Sequence, residues 1–390
     1  MKKKIKRREF FKQSLGSILL LSGMNRANSS ISITESGKTE ENTDEKYIWI
    51  ETSGSPGEIG YQYGKKVKDR LSKHCENRTS NIYERFKRDV VAEGKKVMLG
   101  VMERKFPYIV EEMRGIAEGS GINYDDYSLN VISSGFSVFK EDSDSCSDIM
   151  FKESDYGAVL GKTLDATTPN AVTPVIRLIK PENGITVLCV TRIDGISTET
   201  GLNNRGLALG ESSIHFFTTN PRGVVRNLLL RPLLSECSNV KEGIQFLSEN
   251  PTITGGFNYS MVDLGGNAAV VERSPTECYS RRTDGKVIFA TNHTATPCMR
   301  KLERSRGEIG DKNSDDRFAN LKKITSAEDF ELSLISMKNI LSNHNNPGAI
   351  CQHGTYLYTQ RAYINLAAEG KLLAAFGNPC KNDFIEFAIS

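Results

Sequence analysis

Apolar residues recur every third or fourth position through the first third of the chain. Tyr63, Val67, Leu71 and Cys75 fall at four-residue spacing, which places them on one face of a helix. Val101, Ile109, Met113 and Ile116 continue the same period and predict one further helix, stopping at Gly119-Ser120-Gly121. Asn123 is placed to cap a third, running through Leu129 and Ile132. A short strand, Tyr47-Ile48-Trp49-Ile50, precedes them.

Beyond Glu141 the period shortens. Strand-like segments are expected at 147–152, 158–164, 173–179, 185–192 and 206–214, and then helices at 223–235 and 240–249. Strands return at 258–263, 268–273 and 286–291, followed by helices at 300–308, 315–323 and 327–342. The chain closes on a hairpin with arms 361–367 and 371–377, turning at Glu369-Gly370. Strands and helices in successive blocks, with no internal repeat, predict α+β layers rather than alternating βαβ units.

Composition agrees with a packed core. The 390 residues are 38% hydrophobic, with 17 Phe and 13 Tyr, which excludes a disordered, collagen-like or coiled-coil chain. No apolar run reaches the roughly 18 residues of a membrane span, so a multi-pass membrane protein is excluded too. The net charge of +3 hides an asymmetry. Residues 1–27 hold eight Lys and Arg against Glu9 alone, a local +7 that leaves −4 for the remainder. An acidic body lacks the basic face that nucleic acid requires.

The basic excess reads as an address. KKKIKRREFFK precedes a short apolar run, residues 14–23, and Lys6-Arg7-Arg8-Glu9-Phe10-Phe11-Lys12 resembles a twin-arginine export signal. Residues 1–27 are therefore expected to direct export to a bacterial periplasm or cell envelope, with an ordinary secretory signal or a single membrane anchor as the alternatives. Residues 28–46 are polar and free of aromatics up to Lys46, a flexible linker, and order is expected over 47–390.

The eight cysteines are scattered singly, and no C-x-x-C occurs. The five histidines form no metal-spaced pair, so no metal is expected, and chemistry at a cysteine thiol would require no organic cofactor. Cys146 stands apart because it follows the acidic loop EDSDS and opens the β-rich part. Cleavage of the Ser145–Cys146 bond would free an α-amino group of pKa about 7.7–8.0, able to take the proton from its own thiol. The plain alternative is a strand cysteine used for packing.

From about residue 55 onward the sequence resembles the isopenicillin N acyltransferase family, the cysteine branch of the N-terminal-nucleophile hydrolases. The resemblance rests on ordered blocks: GEIGYQYGKKVKDRL (57–71), FPYIVEEMRGIAEGSGINYDDYSLN (106–130), GLNNRGLALGESS (201–213), YSMVDLGGNAAVVERSP (259–275), ATNHT (290–294), NSDDRFANL (313–321) and FGNPC (376–380). It implies a four-layer αββα sandwich, self-cleaved into 28–145 and 146–390, with the N-terminal fragment remaining bound as a partner. By position, Cys146 matches the nucleophile, Asp165 the acid that holds the new α-amino group, and Asn292 the oxyanion donor. Arg361 is the candidate supporting arginine. Ser145 stands where relatives often have Gly, and Lys-Thr-Leu-Asp replaces an Asn-Trp-Asp run.

The function so implied is hydrolysis or acyl transfer at a linear amide of a small N-acylated compound, through an acyl-thioester. Two other readings fit the residues. A Cys–His protease would pair Cys146 with His215, His293 or His353. A non-catalytic exported binding protein would keep the fold without processing.

Overall fold

The computed structural model describes residues 45–136, 145–168, 172–354 and 356–389. The signal-like segment, nearly all of the linker and the acidic loop before Ser145 lie outside the described residues. Strand β1 (Ile48–Gly54) leads into four helices: α1 (Pro56–Arg85), α2 (Arg88–Lys105), α3 (Pro107–Ser120) and α4 (Tyr124–Ile132). Six strands follow: β2 (Ser145–Phe151), β3 (Val159–Ala166), β4 (Val175–Pro181), β5 (Val187–Thr191), β6 (Thr198–Asn203) and β7 (Ala208–Thr219). Helices α5 (Leu230–Glu236) and α6 (Val240–Glu249) separate these from β8 (Thr254–Val262), β9 (Ala268–Arg273), β10 (Cys278–Arg281) and β11 (Val287–Ala290). Last come α7 (Glu308–Thr325), α8 (Leu334–Leu341), β12 (Tyr358–Leu366), β13 (Lys371–Phe376) and β14 (Ile385–Ala388).

Local chemistry explains the boundaries. Ser55 and Glu58 form a reciprocal capping box at the start of α1, with Pro56 in the first turn. The single helix expected across Val101 and Ile116 is two. Pro107 lacks an N–H and holds Phe106 at φ −135°, ψ 61°, outside the helical well, so α2 ends and α3 begins there. Asn123 caps α4 by accepting from the Asp125 N–H, as expected. Only one helical turn, Pro297–Arg300, stands near the helix expected at 300–308.

The strands form two sheets. One has eight strands in the order β1-β4-β5-β6-β7-β8-β9-β10, the other six in the order β11-β2-β3-β12-β13-β14. Met150, Leu160 and Tyr363 of the smaller sheet pack between the layers against Ile176, Leu188 and Val270 of the larger one. Alternation along β4 turns Val175 and Ile179 the other way, into a core with Ile59, Leu71 and Met113 from the N-terminal helices. On the far side, Ile149, Val159 and Ile364 pack against Leu321 of α7 and Met337 of α8. The layer order is helices, sheet, sheet, helices, the αββα arrangement expected. Because β1 pairs in parallel with β4, chain from both sides of Cys146 shares one sheet. No helix among the described residues is long and apolar enough to cross a membrane.

Helices α1 and α3 touch backbone to backbone. A Cβ on Gly64 would lie 2.2 Å from the Ile116 carbonyl oxygen, and one on Gly119 2.2 Å from that of Tyr61. Both glycines belong to the sequence blocks GEIGYQYG and GIAEGSG. Gly64→Val must therefore separate the helices, at a cost of about 1–3 kcal/mol or more. Urea unfolding should show a lowered midpoint with an unchanged slope. An unchanged midpoint would mean that the helices do not meet there.

Candidate active site

Strand alternation sends Met150 into the space between the sheets and Ile149 and Phe151 to the outer helices. Cys146 and Asp148 share the face of Met150, while Ser147 shares that of Ile149. In the β2–β3 ladder Ser145 stands opposite Asp165, and Cys146 opposite Leu164. Cys146 is 3% exposed and Ser145 2%. The expected scissile bond is thus held inside the protein.

The Cys146 backbone N–H donates to Asn292 Oδ1 at 2.8 Å. Asn292 follows β11, the edge strand paired to β2, so the ladder itself delivers it. Its amide orientation follows from its partners. Oδ1 accepts from both Cys146 N and Arg317 Nη2 (2.9 Å), while Nδ2 donates to the Ser213 carbonyl at 3.1 Å. Nδ2, the group expected to meet an oxyanion, is engaged with β7 in the uncut chain.

Arg317, not singled out from the sequence, completes this network. It projects from α7 with no exposure, and each guanidinium nitrogen has a partner. Nη1 donates to the Cys146 carbonyl (2.5 Å) and to Ser147 Oγ (2.8 Å), and Nε donates to Asn313 Oδ1 (2.9 Å). Its acceptors are all neutral, so burial lowers its pKa from the usual arginine value, with the Asp165 charge opposing.

Asp165 is fully buried. Its carboxylate accepts from Thr359 Oγ1 at 2.6 Å and Gln352 Nε2 at 3.0 Å. Burial raises its pKa, and Arg317 and these hydrogen bonds pull it back. The expected supporting residue Arg361 sits on β12. It donates to the Val172 carbonyl and pairs with Glu199 of the opposite sheet at 3.4 Å. The guanidinium bonded to Cys146 and Asn292 is that of Arg317. Arg306 adds a second cation, with Nη2 3.4 Å from Ser145 Oγ and Nη1 3.3 Å from Ser213 Oγ.

Beneath the cysteine lies Lys162, fully buried between Asp148 (3.6 Å) and Glu211 (3.7 Å), with its ammonium also donating to the Glu211 carbonyl. Burial drives the Cys146 thiol well above its usual pKa, and the Lys162 charge is the largest influence against it. A thiol in that state is neutral at rest and needs a base at the moment of attack. Burial likewise lifts Glu211 to about 7 despite Lys162.

The histidines lie in other settings. His293 Nδ1 faces Ser314 Oγ at 2.8 Å and Asp315 at 3.3 Å, and burial, aided by the Arg300 charge, lowers its pKa to about 4. His215 is buried on β7, where its carbonyl accepts from the Arg304 N–H. His353 meets His344, Cys351 and Cys380, a grouping that spacing along the sequence does not indicate. The signal available in the sequence was the pair Cys351-Gln352-His353.

A family model described as acyl-coenzyme A:6-aminopenicillanic acid acyl-transferase matches residues 152–360. The match begins just after Cys146 and includes Asp165, Asn292 and Arg317. The acyl-coenzyme A:6-aminopenicillanic-acid-acyltransferase 40 kDa form of Emericella nidulans is 25% identical over 252 residues, covering 63% of this chain and 69% of the relative. Among solved structures, a mutant conjugated bile acid hydrolase from Clostridium perfringens superposes with TM-score 0.40 at 11% identity, over 63% of this chain and 97% of the other. Penicillin V acylase from Agrobacterium tumefaciens does so with TM-score 0.35 at 13% identity, over 63% and 86%.

Replacing Arg317 by Met would strand the Cys146 carbonyl and the Ser147 hydroxyl without their donor. Charge-assisted hydrogen bonds of this kind contribute roughly 1.5–3 kcal/mol each, so Arg317→Met should lose on the order of 3 kcal/mol of unfolding free energy. Urea titration measures this, and an unchanged midpoint would show that the guanidinium holds nothing.

Proposed function

This chain belongs to the acyl-coenzyme A:6-aminopenicillanic acid acyl-transferase family, whose chemistry is acyl transfer, and on that premise we propose that it cleaves linear amides of small N-acylated compounds with Cys146 as an N-terminal nucleophile. The observation that carries the reading is the bond from Cys146 N to Asn292 Oδ1 at 2.8 Å. The nitrogen that would become the catalytic amine already has a buried acceptor, itself fixed by Arg317.

Activation begins with the Cys146 thiol attacking the Ser145 carbonyl carbon. The C–N bond breaks, the nitrogen takes the thiol's proton, and Ser145 is left as a thioester on Cys146 Sγ. Water then hydrolyses this ester, giving a Ser145 carboxylate and a Cys146 with free amine and thiol. In the mature strand the Cys146 amine becomes the first group of β2, one register position from where Ser145 faced Asp165, and the Asn292 carbonyl oxygen retains it. Fragment 28–145 stays associated through the β1–β4 pairing and the N-terminal helical core.

Turnover repeats the chemistry on a substrate. The α-amine takes the thiol's proton as Sγ attacks the acyl carbonyl, and returns it to the leaving amine. Asn292 Nδ2 exchanges the Ser213 carbonyl for the developing oxyanion, a contribution of roughly 2.7–4 kcal/mol for such a donor. Water or an acceptor amine then releases the acyl group from Cys146. With residues 1–27 as an export signal, acyl-coenzyme A is absent at the destination, which favours hydrolysis.

A panel of N-acyl amides, read by release of the free amine, tests the activity. Wild type should give a burst and an acyl adduct on the Cys146 peptide by mass spectrometry, and Cys146→Ala neither. An adduct on another residue, or turnover by folded Cys146→Ala, would refute the assignment.

Asp165 sets a second expectation. A nearby carboxylate favours the protonated amine, so its removal lowers the amine's pKa. Asp165→Asn should therefore shift the acid limb of kcat/KM to lower pH while reducing its plateau. A limb that stays in place would separate Asp165 from the amine.

A further inference from the structure

Away from Cys146, four ligand-type atoms converge where the loop after α8 meets the turn after β13. His344 Nε2 and His353 Nε2 lie 2.9 Å apart. From His353 Nε2, Cys351 Sγ is at 3.4 Å and Cys380 Sγ at 3.2 Å, and the two sulfurs are 3.7 Å from each other. All four atoms fall within 4.8 Å of one another.

Hydrogen bonding does not account for this convergence. One imidazole nitrogen either donates a single proton or accepts, yet His353 Nε2 faces three partners at once. A shared cation does account for it. With zinc–sulfur bonds of about 2.3 Å and zinc–nitrogen bonds of about 2.0–2.1 Å, a tetrahedron has edges of about 3.8 Å (S–S), about 3.5 Å (S–N) and about 3.3 Å (N–N). Four of the six separations, 3.7, 3.4, 3.2 and 2.9 Å, follow the same order, and the other two lie within 4.8 Å. A disulfide would use both sulfurs but would give the two imidazoles no reason to join them. Two thiolates with two imidazoles favour zinc over the oxygen-seeking magnesium and calcium.

We propose that His344, Cys351, His353 and Cys380 form a closed Cys2His2 zinc site that pins Gln352, and through it the Asp165 carboxylate. Four protein ligands leave no open position, so the ion is structural. Binding converts two thiols to thiolates and releases two protons, with no oxidant or reductant involved. Two of the ligands flank Gln352, whose side chain donates to Asp165 and whose backbone N–H donates to Thr359 Oγ1. Asn378, two residues before Cys380, donates to the Gln352 carbonyl from the other side. The site itself does not depend on Cys146 being the nucleophile.

The full chain, purified under reducing conditions, would be stripped with a chelator and titrated with cobalt(II) alone. Wild type should take up one equivalent, develop the visible bands and sulfur-to-cobalt charge transfer of tetrahedral thiolate ligation, and melt at higher temperature when loaded. Zinc should displace the cobalt. Cys380→Ser and His344→Gln alter exposed ligands, so folding should survive while cobalt binding weakens at least tenfold, about the smallest loss expected even for a residue that only supports a ligand. Cobalt spectra in wild type no different from Cys380→Ser would overturn the proposal. So would a purified chain with a Cys351–Cys380 disulfide that binds no cobalt after reduction.

Discussion

A guanidinium with no access to water, that of Arg317, ties the outer helix α7 to the first residues of β2 and to the loop after β11. Burying a cation is costly, and the cost is tolerable only while its donors stay paired. Bonds to Cys146 O, Ser147 Oγ, Asn292 Oδ1 and Asn313 Oδ1 meet that demand. Helix α7 therefore cannot slide along the sheet without stranding donors. The same constraint fixes Cys146 and Asn292 relative to each other.

The layered core makes this network possible. Apolar side chains between the sheets hold β2 and β3 against β7 and β8, so Ser213 of β7 comes within reach of Asn292. Charge also enters that interior, as with Lys162 between Asp148 and Glu211. On the helical side, Glu112 of α3 pairs with both Arg177 of β4 and Arg231 of α5. In both places the buried charge ties together elements that are far apart along the chain.

Much of this was legible in the sequence. The N-terminal helices, the final hairpin and the α+β layering follow from apolar spacing and turn residues. Cys146 was legible as a cysteine at a change of texture, and Asn292 through its block. Strands β6, β10 and β14 were not, because Thr198–Asn203 carries little apolar alternation and the other two are four-residue edge segments. Arg317 lay in plain view in NSDDRFANL, but its bond to Cys146 spans 171 residues and leaves no local trace. The convergence of Cys351 and Cys380 likewise depends on the β12–β13 hairpin returning the chain to its starting edge. Pro107, by contrast, carried a readable signal for the break between α2 and α3.

If the Cys146 nitrogen, bonded to Asn292 in the intact chain, becomes a catalytic amine, the bond before it must be cut. Intact-mass analysis with N-terminal sequencing of the purified protein, beside Cys146→Ala, tests it most directly. Two associated fragments are expected in the wild type, one beginning at Cys146, and a single chain in the variant. An active wild-type protein that remains one uncut chain through residues 145 and 146 would contradict it.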